Sequence, residues 1–285
     1  MYEVSISPKP GLVDRFDSGA HQDMDIFTYI DSSVALFQYF QSAAEEGCSA
    51  AQDPTETLFP RLQKLGLWAE QRMYSATSGI NTHKGSIFTL GLLCGGLGYL
   101  YAAGDEFDEE KLLALCGRTA APAMKQSLQS IQPAHAVTGG ERLFVRTGQT
   151  GIRGEAAAGY PSIKNYGIPT LRKALRAGHS INDAGILVLL ELLCHVEDSN
   201  VFSRGGLKHQ NELAERARMI LNSGHFDIRA VEELNQYCIQ ENISPGGCAD
   251  LLAATLFLYL YFDKRAEHRE SLCVSIPKSA ERAAR

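Results

Sequence analysis

Apolar positions recur with a helical period along most of this chain, and alternation with a period of two is rare. Within residues 26–46, Ile30, Val34, Phe37 and Phe40 stand at helical spacing. Within 55–74 the repeat is Leu58, Leu62, Leu65 and Ala69, with Asp53 and Pro54 marking the start. Segment 109–131 opens on acidic residues, which suit the positive end of a helix. Segment 170–177 stops at Gly178, and Ser180-Ile-Asn-Asp183 reads as a capping box opening a helix to about residue 196. Segments 208–222 and 228–241 are amphipathic, whereas 249–262 is apolar on nearly every side and belongs inside a bundle. The only strand signals are a weak alternation at 2–6 and the short run 143–145.

Segment 85–104 is uncharged and just long enough to cross a bilayer. Its six glycines, with Ser86 and Thr89, and the polar run ahead of it favour a buried helix. Five connections combine Gly, Pro, Asn and charged residues: 7–25, 78–85, 148–161, 197–206 and 242–250. The expected architecture is all-α, a single-domain helical bundle over 1–265 with a polar tail at 266–285. Glycine-rich interhelical loops would form its active site.

Composition narrows the partners. The 285 residues are 45% hydrophobic and 21% charged, enough for a sizeable core. A formal net charge of -6 gives no broad attraction for nucleic acid or an anionic membrane, so a polyphosphate ligand needs a local basic pocket. Seven cysteines without a Cys-x-x-Cys pair, and no basic-then-apolar leader at the start, make a reducing cytoplasm the simplest compartment.

Chemistry concentrates in the five connections. The first carries Lys9, Arg15, His21, Asp23 and Asp25; its carboxylates suit Mg²⁺, and equally suit a turn leading into a capped helix. The second, Asn81-Thr-His83-Lys84-Gly85-Ser86, can place backbone N–H groups and one full positive charge against an anion. Its small residues would let a ligand approach the backbone, while a capped helix with a solvated lysine explains the same spacing. No Walker loop is present. The third offers Arg153 and Glu155, the fourth Asp198, Asn200 and Arg204, and the fifth Ser244 and Asp250. Cys248 and the scattered histidines 135, 179, 195, 209, 225 and 268 read as packing or surface groups.

The runs SPKPGLVDR, GAH-x-DMD, GINTHKGSIFTLGLLC, TGIRGEAAAGYP, DSNVFSRGG and NISPGGCADLL, in this order, resemble the triphosphoribosyl-dephospho-CoA synthase family. The likeness extends from about Glu3 to Phe262. Family members often carry a further N-terminal helix before the first run, and a serine is usual where Cys248 stands. The resemblance implies a transferase that joins C1 of the ATP ribose to the 2′-hydroxyl of 3′-dephospho-CoA and releases adenine. The product is the prosthetic-group precursor of citrate lyase, passed on to the system that modifies the apo acyl carrier protein; related members serve malonate decarboxylase. Laid on this chain, the reaction gives Asp23, Asp25 and Asp198 to Mg²⁺ and Lys9, Arg15, Lys84 and Arg153 to the triphosphate. Glu155 is the first choice of base, Asp250 the second, and His83 would donate to adenine. Asn81, Asn200, Arg204 and Ser244 complete the substrate contacts. Two other classes fit the same loops: an Mg²⁺-dependent N-glycoside hydrolase and a non-catalytic partner of an acyl-carrier assembly.

Overall fold

The computed structural model describes residues 1–104, 106–132, 135–136 and 138–274, with side chains described as far as residue 264. Among the described residues there are eleven α-helices and no strand. They are α1 (Ile26–Ser49), α2 (Leu58–Ala76), α3 (Lys84–Ala103), α4 (Glu109–Gln129), α5 (Gly139–Thr147) and α6 (Gly151–Ala157). Then follow α7 (Ile168–Arg176), α8 (Ile181–His195), α9 (Ser199–Leu221), α10 (Ile228–Gln240) and α11 (Gly246–Val274). A 3-10 turn, Glu3–Ser5, occupies the first weak strand signal, and the second lies inside α5. The short Glu3–Ser5 run cannot find a ladder partner, so local i→i+3 bonding wins.

Side chains at the starts explain most boundaries. Asp25, Asp108, Thr138, Ser180, Asp198 and Asp227 each accept a backbone N–H from the first turn of α1, α4, α5, α8, α9 and α10. At Ser180 only the forward half of the capping box is made, because Asp183 N–H donates to it without reciprocal contact.

Helix α3 is the hub, packed against α1, α2, α4 and α11. Its glycines serve that packing. A methyl group at Gly47 of α1 would lie 1.9 Å from the Gly95 carbonyl oxygen, and one at Gly98 would lie 1.9 Å from that of Ala44. The two backbones therefore touch, and Tyr39 donates to the Ile87 carbonyl at 2.9 Å across the same seam. Apart from Gly85, these glycines admit a neighbouring helix and not a ligand. Helix α3 is the one described helix long and apolar enough to cross a membrane, and 67% of its apolar 18-residue stretch is buried inside the fold.

Three expectations about extent and orientation change. In α1 the helix is as expected but the buried face is Leu36, Tyr39 and Ala43, while Val34 and Phe37 are 65% and 72% exposed. Helix α9 starts at Ser199, before the expected 208, with a break at Gly206 (φ 68°, ψ −165°) that glycine tolerates. Helix α11 runs from Gly246 through the expected boundary at 265 to Val274; the rest of the expected tail, 275–285, lies outside the described residues. Arg172 ties this last helix to α4 and α7 through paired bonds to Glu109 and Asp263.

Candidate active site

The first turns of α3, α5, α9 and α11 open onto one cavity of about 710 Å³. The segments read as glycine-rich loops are thus largely helix beginnings: α6 fills much of 148–161, and α9 and α11 begin inside the fourth and fifth connections. Composition misled because a cap and a first turn use the same Asp, Ser, Asn and Gly as a loop. Helix starts present unpaired backbone N–H groups and the positive end of the helix dipole, a suitable surface for phosphate oxygens. The cavity also has an apolar wall, with Phe59 and Leu62 from α2, Phe88 and Leu92 from α3, and Met124 from α4.

Of the residues singled out in the sequence, Asn81, His83, Lys84, Arg153, Glu155, Asp198, Asn200, Arg204, Ser244 and Asp250 line this cavity. Lys9, Arg15, Asp23 and Asp25 do not. Lys9 is 1% exposed and ion-paired with Glu3, so its charge is spent behind the wall. The Arg15 guanidinium donates to Asn182 at 3.1 Å and to Ser7 at 3.4 Å. Asp25 is the exposed cap of α1, its Oδ1 accepting from Thr28 N at 2.9 Å and from Thr28 Oγ1 at 2.8 Å. Asp23 is exposed and stands 3.7 Å from His21 Nδ1.

The set Asp23, Asp25 and Asp198 therefore does not fit as one metal-binding triad. Asp198 is buried, with Oδ1 accepting from Asn200 N at 2.8 Å and Oδ2 from Cys248 N at 2.9 Å. It joins the start of α9 to the start of α11, a structural task. Among the described residues no group of three or more His, Cys, Asp or Glu is placed to hold a metal ion.

Two carboxyls differ instructively. Asp250 is enclosed, and burial pushes its pKa up to about 7 against the Ser86 hydroxyl, which donates to Oδ1 at 2.5 Å. Glu155 is also raised by burial, but Ser162 holds its ionised form by donating from Oγ at 2.6 Å and from N at 3.2 Å. His83 is pushed down to about 3, chiefly by burial, and so is neutral. Lys84 is raised by its 2.9 Å bond to Glu70 and stays cationic. Arg153 lies near enough to oppose the Lys84 charge, and its guanidinium is 3.6 Å from Glu141. The Cys248 thiol is raised well above its usual range by burial, in keeping with a packing role.

Also lining the cavity, His21 Nε2 is hydrogen-bonded to Ser244 Oγ at 2.7 Å. Arg204 donates to the Ala20 carbonyl at 3.2 Å and to Asn242 Oδ1 at 2.8 Å. Burial, then the nearby Arg204 charge, lowers the His21 pKa. Sequence reasoning placed neither Glu3, Glu70 nor Tyr29 at the site. Only packing of α2 on α3 brings Glu70 to Lys84, so no local pattern could have signalled it. His21 lies in the first polar connection, where spacing alone assigns it no partner such as Ser244.

The sequence profile described as ATP:dephospho-CoA triphosphoribosyl transferase matches residues 1–269. The 2-(5''-triphosphoribosyl)-3'-dephosphocoenzyme-A synthase of Pectobacterium atrosepticum is 38% identical over 259 residues, covering 91% of this chain and 85% of that protein. A protein of Streptococcus equi subsp. zooepidemicus, named as a probable enzyme of the same kind, is 40% identical over 270 residues, covering 90% and 92%. A solved structure from Archaeoglobus fulgidus, assigned as a triphosphoribosyl-dephospho-CoA synthase, shares the fold at a TM-score of 0.54. It is 17% identical and covers 83% of this chain and 98% of its own.

Proposed function

The chain belongs to the ATP:dephospho-CoA triphosphoribosyl transferase family and is an enzyme of that class; on that premise we propose that its cavity binds ATP and 3′-dephospho-CoA together and expels adenine. The C1 carbon of the ATP ribose would be attacked by the 2′-hydroxyl of dephospho-CoA, giving the precursor used to modify the citrate lyase acyl carrier protein. The observation that carries this reading is the pairing of two partly buried carboxyls with helix starts and cationic side chains around one cavity.

Displacement at an anomeric carbon needs a base for the incoming hydroxyl and an acid for the departing base, and groups whose environments differ can divide that work. Glu155, with its ionised form bonded twice by Ser162, is suited to accept the 2′-hydroxyl proton. Asp250, retaining its proton up to about pH 7, is suited to protonate adenine as the glycosidic bond breaks. Asn81 and Asn200 supply amide groups near the helix starts, while Lys84, Arg153 and Arg204 offset the triphosphate charge. The apolar wall of Phe59, Phe88 and Leu92 is suited to a purine or to the pantetheine arm.

The lining holds more carboxylates than lysines and arginines, which favours a divalent counter-ion arriving with the phosphates. Mg²⁺ is proposed in that capacity alone. The decisive assay incubates the protein with ATP, Mg²⁺ and dephospho-CoA and follows products by mass spectrometry. A CoA adduct with equimolar adenine supports transfer. Free ribose triphosphate with adenine would make it a hydrolase, and no adenine at all would leave only a non-catalytic binding role. Transfer of the adduct to citrate lyase rather than malonate decarboxylase carrier protein tests the destination.

A further inference from the structure

We propose that Ser32 and Thr82 are positioning residues that hold His83 as a neutral imidazole with its proton on Nε2. In that form His83 donates a hydrogen bond to the purine being displaced and leaves proton transfer to a carboxylic acid. The second half rests on the reaction proposed above; the first stands on geometry alone.

Ser32 lies on α1 and is wholly buried. The Thr82 hydroxyl donates to Ser32 Oγ at 2.8 Å, and Ser32 Oγ lies 2.7 Å from His83 Nδ1. Thr82 Oγ1 is itself 3.2 Å from Nδ1. Each hydroxyl carries one hydrogen. With the Thr82 hydrogen on Ser32, the Ser32 hydrogen is the one directed at Nδ1, which then accepts. With a proton on Nδ1 instead, both hydroxyls would have to turn round, Ser32 donating to Thr82 Oγ1 and the Thr82 hydrogen finding another acceptor.

The ring is held on its other sides too. Tyr29 meets it edge-on, centroids 4.9 Å apart at 71°. The His83 backbone N–H points to Met73 Sδ at 3.1 Å, and its carbonyl accepts from Ile87 N at 2.7 Å. The imidazole thus sits at the cavity wall between α1, α2 and the start of α3. Burial, followed by the positive amino-terminal group and Lys9, opposes a second proton.

A neutral imidazole N–H is far too weak an acid to give its proton to adenine near neutral pH. It remains a good hydrogen-bond donor, and such a donor stabilises developing charge without changing its own protonation. In the proposed reaction the negative charge developing on the purine is shared between His83 Nε2–H and the proton delivered from the Asp250 carboxyl. Adenine leaves with that proton, and Asp250 is left ionised until solvent reprotonates it.

The test uses the full chain labelled with ¹⁵N-histidine and long-range ¹H–¹⁵N correlation, with no substrate present. His83 is expected to show the Nε2–H tautomer unchanged from pH 5 to 8. An Nδ1–H pattern, or a titration with its midpoint in that range, overturns the proposal whether or not the enzyme makes the adduct. Kinetics supply the second measurement. Thr82→Val should lower kcat at least about tenfold with KM for ATP changed less than twofold, and Thr82→Ser, which keeps the hydroxyl, should restore it. Equal activity of the valine and serine variants overturns the relay. If the wild-type tautomer is as expected but no CoA adduct forms, the relay stands and the proposed reaction falls.

Discussion

The Asp250 carboxylate rests against the backbone of Gly85, where a methyl group would lie 1.8 Å from Oδ2. The start of α3 and the start of α11 are therefore fitted to each other through a missing side chain, and Ser86 completes the contact by donating to Oδ1. Gly85→Ala should push the carboxylate aside while leaving both helices intact. We expect kcat to fall at least about tenfold, in line with misplacing an acid–base group, with only a small change in melting temperature. Wild-type turnover in this variant would show that Asp250 needs no fixed position.

Two carboxyls with different environments predict a bell-shaped dependence of rate on pH. Turnover should fall above about pH 7 as Asp250 loses its proton, and fall on the acid side as Glu155 gains one. Asp250→Asn should abolish the alkaline limb, and Glu155→Gln should cut kcat at least about tenfold while ATP still binds. Stability follows with a definite sign. Between the unfolded value of 3.8 and the folded value of about 7, the folded chain keeps a proton that the unfolded chain releases. Stability contributed by Asp250 therefore declines as pH rises through that window. At pH 8 Asp250→Asn should be more stable than the parent, by on the order of a few kcal/mol, in denaturant titrations.

Lys84 and Arg153 repel each other mildly when the cavity is empty, and each is relieved by a carboxylate neighbour. A polyphosphate would relieve both. Lys84→Ala and Arg153→Ala should each weaken ATP binding about tenfold, measured by calorimetry, and the loss should shrink at high salt. Unchanged affinity in both would remove them from the triphosphate site.

Asp25→Ala should behave as the loss of a helix cap. We expect a slightly lower melting temperature and an unchanged Mg²⁺ requirement for turnover. A shifted Mg²⁺ requirement would restore Asp25 as a metal ligand.

How much of this was legible in the chain depended on distance along it. Caps at Asp25 and Ser180, the acidic start of α4 and the apolar stripe of α2 are local, and they were readable. The buried face of α1 was not, because its neighbour is the glycine seam of α3, which accepts Tyr39 and excludes Val34 and Phe37. Lys9 and Arg15 looked like phosphate contacts because their partners, Glu3 across a turn and Asn182 in a distant helix, are chosen by the fold. Asp198 reads as a ligand in the sequence, and the tertiary structure shows what no local pattern could, that its two oxygens accept from backbone N–H groups at two helix starts.

The cavity takes its walls from chain positions as far apart as Lys84, Gly139, Ser199 and Gly246. A chain with every helix formed but those four ends unassembled would satisfy nearly all its main-chain hydrogen bonds and bind nothing. On gradual heating, protection by nucleotide should accordingly disappear before the circular dichroism of the helices does. Catalytic competence is in this sense the last thing the polypeptide acquires and the first it surrenders.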